Sequence, residues 1–285
     1  MITKLSMKEH WIIIPVFNRC ALTKACLLRL AESGIIDRYT VCVVDDASTD
    51  GTREMLAEGF PSVIRVEGTG NLFWGGGVAL GMQYAQKADA EVHIWLNDDC
   101  LVDDGSVDRI VERALETKGI CGGVCFEEDG QTLAYSGDVI RDGKLQRVYP
   151  QKGERLPTEL LNGNMVAIHR DVVKKLGGID TKRFPHYAGD SIYGLEASRA
   201  GVAVEIDGSA TGINPRGNYF ERFGTSKPAS AVWKDILWVG SPNYFPSYWH
   251  SLKAMFGWRA YYRWPAFYVR LTKLWWSSRK PQPQS

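Results

Sequence analysis

The chain has 285 residues, 45% hydrophobic and 24% charged, with a formal net charge of +1. That suits one large folded domain, or one domain with an appendage, and gives no global charge argument for a nucleic-acid partner. Six cysteines without zinc-like spacing, and no long apolar run near the start, lead us to expect a reduced cytoplasmic protein with no signal segment or spanning helix.

Trp11 to Phe17 (WIIIPVF) reads as a buried strand and its exit. Leu22, Cys26, Leu27 and Leu30 then recur at helical spacing up to Gly34. Tyr39 to Val44 is a second, β-branched run closed by Asp45-Asp46, and Ser48, Thr49 and Asp50 offer caps for a helix carrying Met55 and Leu56. Ser62 to Val66 is a third strand, Gly77 to Ala88 a third helix and Val92 to Leu96 a fourth strand. A helix around Val107 to Leu115 follows, with Ile110, Val111 and Ala114 on one face. Strand alternating with helix in this way predicts an α/β fold with a mostly parallel sheet and helices on both faces. Burial from two sides explains why the strands are continuous apolar runs. In open sheets of this kind ligands lie beyond the carboxyl ends of the strands. There the sequence places Asn18-Arg19, Asp45-Asp46, Asn71 and Asn97-Asp98-Asp99, all at one edge.

Gly119 to Pro150 reads as short strands and turns. Leu160 to Arg170 holds Asn162-Gly163-Asn164 ahead of an apolar stretch, and Asp171 to Leu176 is a helix closed by Gly177-Gly178. His186-Tyr187-Ala188-Gly189-Asp190 then leads into a helix reaching Ala200. From Ile236 to Ser285 there is no Asp or Glu, against Lys253, Arg259, Arg263, Arg270, Lys273, Arg279 and Lys280, and the same segment holds six of the ten tryptophans. At about 100° per residue, Arg259, Arg263, Arg270 and Lys273 fall within an arc of about 80°, and Pro265 is expected to break or kink the helix. A basic, aromatic helix suits an anionic membrane surface. The same aromatics would serve equally for packing on the rest of the chain or on a second subunit.

No Gly-x-x-x-x-Gly-Lys-[Ser/Thr], Gly-x-Gly-x-x-Gly or Gly-x-Ser-x-Gly is present, which disfavours a P-loop NTPase, a dinucleotide dehydrogenase and an α/β-hydrolase. Adjacent carboxylates at the end of an apolar strand are costly unless something positive sits beside them. Hard oxygen ligands side by side suit Mg²⁺ or Mn²⁺, which usually brings phosphates with it. A polar turn with a capping aspartate is the simpler alternative.

Pro15-Val16-Phe17-Asn18, Val43-Val44-Asp45-Asp46-Ala47-Ser48-Thr49-Asp50-Gly51-Thr52, Leu96-Asn97-Asp98-Asp99, Leu161-Asn162-Gly163-Asn164-Met165 and Gly189-Asp190 occur in that order. In sequence and order they resemble glycosyltransferase family 2, nucleotide-sugar enzymes of GT-A fold. The resemblance implies that Asp46 reads the donor base in a slot shaped by Pro15, Phe17 and Asn18, with Arg19, Asn71, Trp74, Gly75, Gly76, Asn97 and Asp98 completing the donor site. It implies a divalent ion on Asp99 and Asp98, an acceptor side made by Asn162, Gly163, Asn164, His186 and Tyr187, and Asp190 as catalytic base. The chain departs from the family pattern at Phe73, Ala79, Asn97, Ile192 and Glu196. From the residues alone, Asp45-Asp46 could instead open a turn, Asp190 cap a helix, and the glycines relieve crowding.

The expected protein is an inverting, metal-dependent glycosyltransferase, since one carboxylate on the acceptor side suits a single displacement. Residues 1–225 would form the catalytic domain and 226–285 a basic aromatic helical extension. Similarity to rhamnosyltransferase-like members makes dTDP-rhamnose the first expected donor and UDP-galactose the second. The expected acceptor is a glycan or lipid-linked hydroxyl in bacterial surface polysaccharide synthesis, reached by a peripheral enzyme on the inner face of the plasma membrane, with a homodimer left open. A nucleotidyltransferase and an inactive glycan- or membrane-binding relative are the alternatives.

Overall fold

The computed structural model describes residues 9–215, 233, 237–241 and 243–277. The first half contains β1 (His10–Val16), β2 (Thr40–Asp45), β3 (Ile64–Glu67) and β4 (Val92–Leu96). They are joined through α1 (Cys20–Glu32), α2 (Ile35–Arg38), α3 (Thr52–Gly59) and α4 (Phe73–Lys87). Then come β5 (Leu101–Val102), α5 (Ser106–Thr117), β6 (Ile120–Phe126), β7 (Leu133–Tyr135), β8 (Asp138–Arg141), β9 (Lys144–Arg147) and β10 (Arg155–Pro157). β11 (Met165–His169), α6 (Arg170–Leu176), α7 (Gly189–Arg199) and β12 (Val204–Ile213) complete the main body. The C-terminal helices are α8 (Phe245–Phe256) and α9 (Ala260–Ser277), linked by a 3₁₀ turn at Gly257–Arg259.

Among the described residues the main sheet runs β10-β12-β6-β11-β4-β1-β2-β3, with β5 on β12 and β7 on β6, while β8 and β9 form a separate hairpin. β3, β2, β1 and β4 are mutually parallel, as the alternating pattern predicts. β11 then enters antiparallel between β4 and β6, with Met165 opposite Leu96 and Val166 opposite Trp95. Its chain arrives at the edge where β4 ends, so it must run back across the sheet. β12, which the sequence reading passed over, pairs parallel with β6.

Both sheet faces are dry. Ile12, Ile14, Ile94 and Leu96 pack with Leu27, Leu30, Val107 and Ile110 on one side, and Ile13, Val44 and Trp95 with Val78, Met82 and Ala85 on the other. α4 lies close on β1: a side chain at Gly81 would strike Cγ2 of Ile13, and one at Gly77 would come within 2.8 Å of the Pro15 Cβ. This helix begins at Phe73, four residues before the expected Gly77, so Gly75 and Gly76 lie in its first turn rather than ahead of it.

α9 continues through Pro265, so of the expected break or kink the proline does not make the break. The missing N–H deprives only the carbonyl of Tyr261, in the exposed first turn where water can serve it. α8 is fastened to the main body by Arg199, whose Nη1 donates to the Ala254 carbonyl at 2.7 Å. The expected boundary at 225/226 lies outside the described residues.

Candidate active site

β2 delivers Asp45 and Asp46 to the sheet edge. Asp45 is consumed internally, accepting the Ser48 N–H at 2.9 Å and Nη1 of Arg65 at 3.0 Å. Asp46 is 5% exposed; its Oδ1 accepts the Gly70 N–H at 2.6 Å and its Oδ2 the Leu72 N–H at 2.7 Å. The expected base-reading residue therefore anchors the loop entering α4, and only its remaining lone pairs face elsewhere. Asn18 ties the exits of β1 and β2, donating its N–H to Ser48 Oγ at 2.9 Å and accepting the Thr49 N–H at 2.7 Å. Phe17, next to Asn18, and Asn71, between Gly70 and Leu72, are exposed, and Pro15 is half-buried.

At the end of β4 an arginine meets both carboxylates. Arg19 donates from Nη1 to Asp98 Oδ1 at 2.9 Å and from Nη2 to Asp99 Oδ2 at 2.5 Å. Burial pushes Asp98 up to about 7, with Arg19 pulling it down and Asp99 pushing it further up. Asp99 is the more open of the two, and its Oδ1 accepts the side-chain amide of Asn214 at 3.0 Å. Asn214, just past β12, escaped the sequence reading; a polar residue closing a strand at this edge was its signal. The pair fits a hard divalent ion, because the structure already places a cation between the two carboxylates and phosphates would complete the ligand set. Asn97 does not join that set: its Oδ1 accepts Nε1 of Trp74 at 2.7 Å.

Trp74 and Asn97 begin a chain of hydrogen bonds that leads to Asp190. The Asn97 amide donates to Asn164 Oδ1 at 2.5 Å. Next to Asn164, the Gly163 N–H donates to Asp190 Oδ2 at 2.7 Å, while Asp190 Oδ1 accepts the Ser191 N–H at 2.7 Å. Burial raises the Asp190 pKa, and these backbone donors oppose the rise. Trp74 lies against Gly163 so closely that a side chain there would enter the indole ring. The ring also meets Trp95 edge-on at 6.0 Å.

His186 caps this assembly. Its Nδ1 accepts the Trp74 N–H at 3.3 Å, which leaves the imidazole proton on Nε2. Burial lowers its pKa to about 4, so it is neutral near pH 7. Tyr187 packs on it at 4.3 Å. The segment before it approaches α4 through Gly75, whose N–H donates to the Pro185 carbonyl at 3.0 Å, and a Cβ on Gly75 would meet the Phe184 oxygen at 2.6 Å. Gly75 thus serves helix–loop contact, and Gly76 packs on Leu72. Asn162 is half-buried beside Gly163.

Asp46, Trp74, Asn97, Asn164, Gly163 and Asp190 therefore belong to one connected edge, with Arg19, Asp98 and Asp99 beside Asn97. None of them lines the 640 Å³ cleft bounded by Asp103, Arg109, Tyr149 and Ser209. Among the described residues, the one cluster of three metal-ligating side chains is Glu9, His10 and Glu91, around the N-terminal ends of β1 and β4, away from this edge.

The family profile described as Glycosyl transferase family 2 matches residues 11–177. A search of curated proteins gave no match. Among solved structures, the mannosyltransferase PcManGT from Pyrobaculum calidifontis, in complex with GDP-Man and Mn²⁺, is 18% identical with a TM-score of 0.56, covering 95% of this chain and 81% of its own. S. aureus TarS 1-349 is 12% identical with a TM-score of 0.57, over 96% of this chain and 90% of that one. GalNAc-T7 with UDP, GalNAc and Mn²⁺ is 14% identical with a TM-score of 0.57, over 78% of this chain and 49% of that one. At these identities the likeness is one of fold, and the fold is GT-A: a curled α/β sheet flanked by helices, here with a C-terminal helical extension.

Proposed function

The chain belongs to glycosyl transferase family 2, and on that premise we propose that it moves a sugar from a nucleoside diphosphate to an acceptor hydroxyl with inversion. The observation that carries this reading is the connected edge joining Asp46 through α4 and Asn97-Asn164-Gly163 to Asp190. Donor-side and acceptor-side residues thereby share one rigid frame, which a single displacement needs.

In the proposed step Asp190 accepts the proton of the acceptor hydroxyl as its oxygen bonds to the anomeric carbon. The bond from that carbon to the phosphate oxygen breaks, and its electron pair leaves with the nucleoside diphosphate. Burial makes Asp190 a stronger base than an exposed aspartate, while the Gly163 and Ser191 N–H groups hold it in position. Asp99 and Asp98 would hold Mg²⁺ or Mn²⁺, which supplies charge stabilisation to the departing diphosphate. Arg19 would then exchange carboxylates for phosphate oxygens through the two N–H groups that each hold one carboxylate. His186, neutral and donating only through Nε2, suits a hydroxyl acceptor rather than a counter-ion role.

The acceptor is proposed to be a glycan or lipid-linked hydroxyl of bacterial surface polysaccharide synthesis. dTDP-rhamnose is the first donor to test and UDP-galactose the second, with GDP-mannose and UDP-GalNAc added because the fold neighbours carry mannose and GalNAc chemistry. The test is nucleotide release from this panel with and without Mn²⁺, comparing the wild type with Asp190→Asn. We expect Mn²⁺-dependent release from one donor, falling about 10²–10⁴-fold in the variant. Equal release by both proteins would remove Asp190 as base, and donor binding without release would favour an inactive relative.

A further inference from the structure

The C-terminal helices have one face turned into the protein and another turned out. α8 and α9 form an antiparallel pair: Phe245 meets Trp264 and Tyr268, while Trp249 meets Tyr261 and Trp264. On its far side α8 grips the main body, with Ser247 Oγ donating to the Arg183 carbonyl at 2.8 Å and His250 against Phe184. α9 is pinned by Arg263, which donates to the Gly143 carbonyl at 2.5 Å and lies 3.9 Å over the ring of Phe256. Arg263 therefore leaves the basic arc that helical spacing alone suggested.

What remains outside is an apolar strip with a basic margin. At about 100° per residue, Tyr262, Pro265, Ala266, Val269, Lys273 and Trp276 fall within an arc of about 100°, and all six are exposed. Val269 is 54% and Trp276 68% exposed, with Trp258 at 73% just ahead of the helix. Arg270 flanks the strip, and Arg259 and Lys253 are exposed near its start. Beside it, Phe245, Trp249, Tyr261, Trp264 and Pro265 border an apolar groove of 460 Å³. No helix among the described residues is long and apolar enough to cross a membrane.

We infer that the outward face of α9 docks on the surface of an anionic phospholipid bilayer. The apolar strip enters the headgroup boundary while Lys273 and Arg270 meet lipid phosphates; the Arg259 guanidinium lies against Gly143 instead. No Asp or Glu from Ile236 to Ser285 opposes an acidic surface from the segment itself. Their absence also disfavours a second copy as occupant, since self-pairing would set like charges against each other. Through α8 the docked helix holds the segment just before His186, Tyr187 and Asp190. Docking itself is independent of the donor chemistry; that it presents lipid-linked acceptors to Asp190 rests on the proposed function.

The test is flotation of the full chain with vesicles of phosphatidylcholine alone and of equal parts phosphatidylcholine and phosphatidylglycerol. We expect binding to the mixed vesicles only, weakened by high salt. Lys273→Glu with Arg270→Glu should weaken it tenfold or more, and Val269→Asp comparably, with circular dichroism and nucleotide release in solution unchanged. No binding, equal binding to both vesicles, or indifference to these substitutions would overturn the inference. So would a dimer in light scattering that Val269→Asp dissociates while vesicle binding is absent.

Discussion

The indole Nε1 of Trp74 donates to the side-chain oxygen of Asn97 at 2.7 Å, joining the first turn of α4 to the end of β4. Asn97 is held as an amide by its two neighbours: one needs an acceptor, and the other, Asn164, receives its N–H. Asn97→Leu should cost about 2 kcal/mol, because it strands both partners. Asn97→Asp should cost less than half of that. Its carboxylate still serves Trp74, and Asn164, whose Nδ2 has no partner, can turn to donate. Denaturant unfolding of the two variants measures this, and equal losses would mean that the hydrogen bonds do not hold the edge together.

Arg19 neutralises two carboxylates that would otherwise repel. Arg19→Met should lower stability in a chelating buffer by about 1–3 kcal/mol. Added Mn²⁺ should then restore more stability to the variant than to the wild type, since the ion takes the place of the lost guanidinium. Thermal unfolding with chelator and with Mn²⁺ reads the difference. Identical metal responses would show that ion and arginine do not compete for one place.

Gly163 sits where a methyl group would enter the Trp74 ring and come within 3.3 Å of the Asp190 Cβ. Gly163→Ala should therefore destabilise by about 1–3 kcal/mol through overpacking. Its effect on kcat should exceed that of an equally destabilising core substitution elsewhere, such as Ile110→Val paired with Val107→Ala, because Trp74 and Asp190 shift together. Matched losses in the two proteins would separate Gly163 from the chemistry.

His93 is buried in β4, and burial lowers its pKa from 6.5 to about 4, with Arg170 adding to the effect. Between those values the unfolded chain binds the proton and the folded one does not, so His93 withdraws stability as pH falls from 6.5 towards 4. Asp98, raised to about 7, acts with the opposite sign, holding a proton in the folded state that the unfolded chain gives up as pH rises. Comparison with His93→Gln isolates the first effect. Between pH 7 and pH 4.5 the wild type should lose about 2 kcal/mol more than the variant. Parallel stability curves would show that His93 titrates normally.

The donor half was legible because parallel strands buried on both faces are unbroken apolar runs, so each polar break marks a strand end. Asn18, Asp46 and Asn97 stand at such breaks, and the structure puts them at one edge. Sequence order could not show that β11 inserts antiparallel beside β4, so the Asn97–Asn164 contact, 67 positions apart, had no local signal. The same holds for Asn214 on Asp99, 115 positions apart. The sequence pattern starts α4 at Gly77 rather than Phe73, since Gly75 and Gly76 disfavour helix; packing against β1 and the Phe184–Pro185 carbonyls outweighs that preference.

The insertion of β11 also shapes how this chain is made. β4 has all five residues buried in the finished molecule, flanked by β1 on one side and β11 on the other. While only the first half has left the ribosome, that second flank is an open row of backbone donors and acceptors, a ready template for strands of other nascent chains. Synthesis must run on past His169 before the gap closes, so slow translation between these two strands should promote clumping well before it affects the completed enzyme.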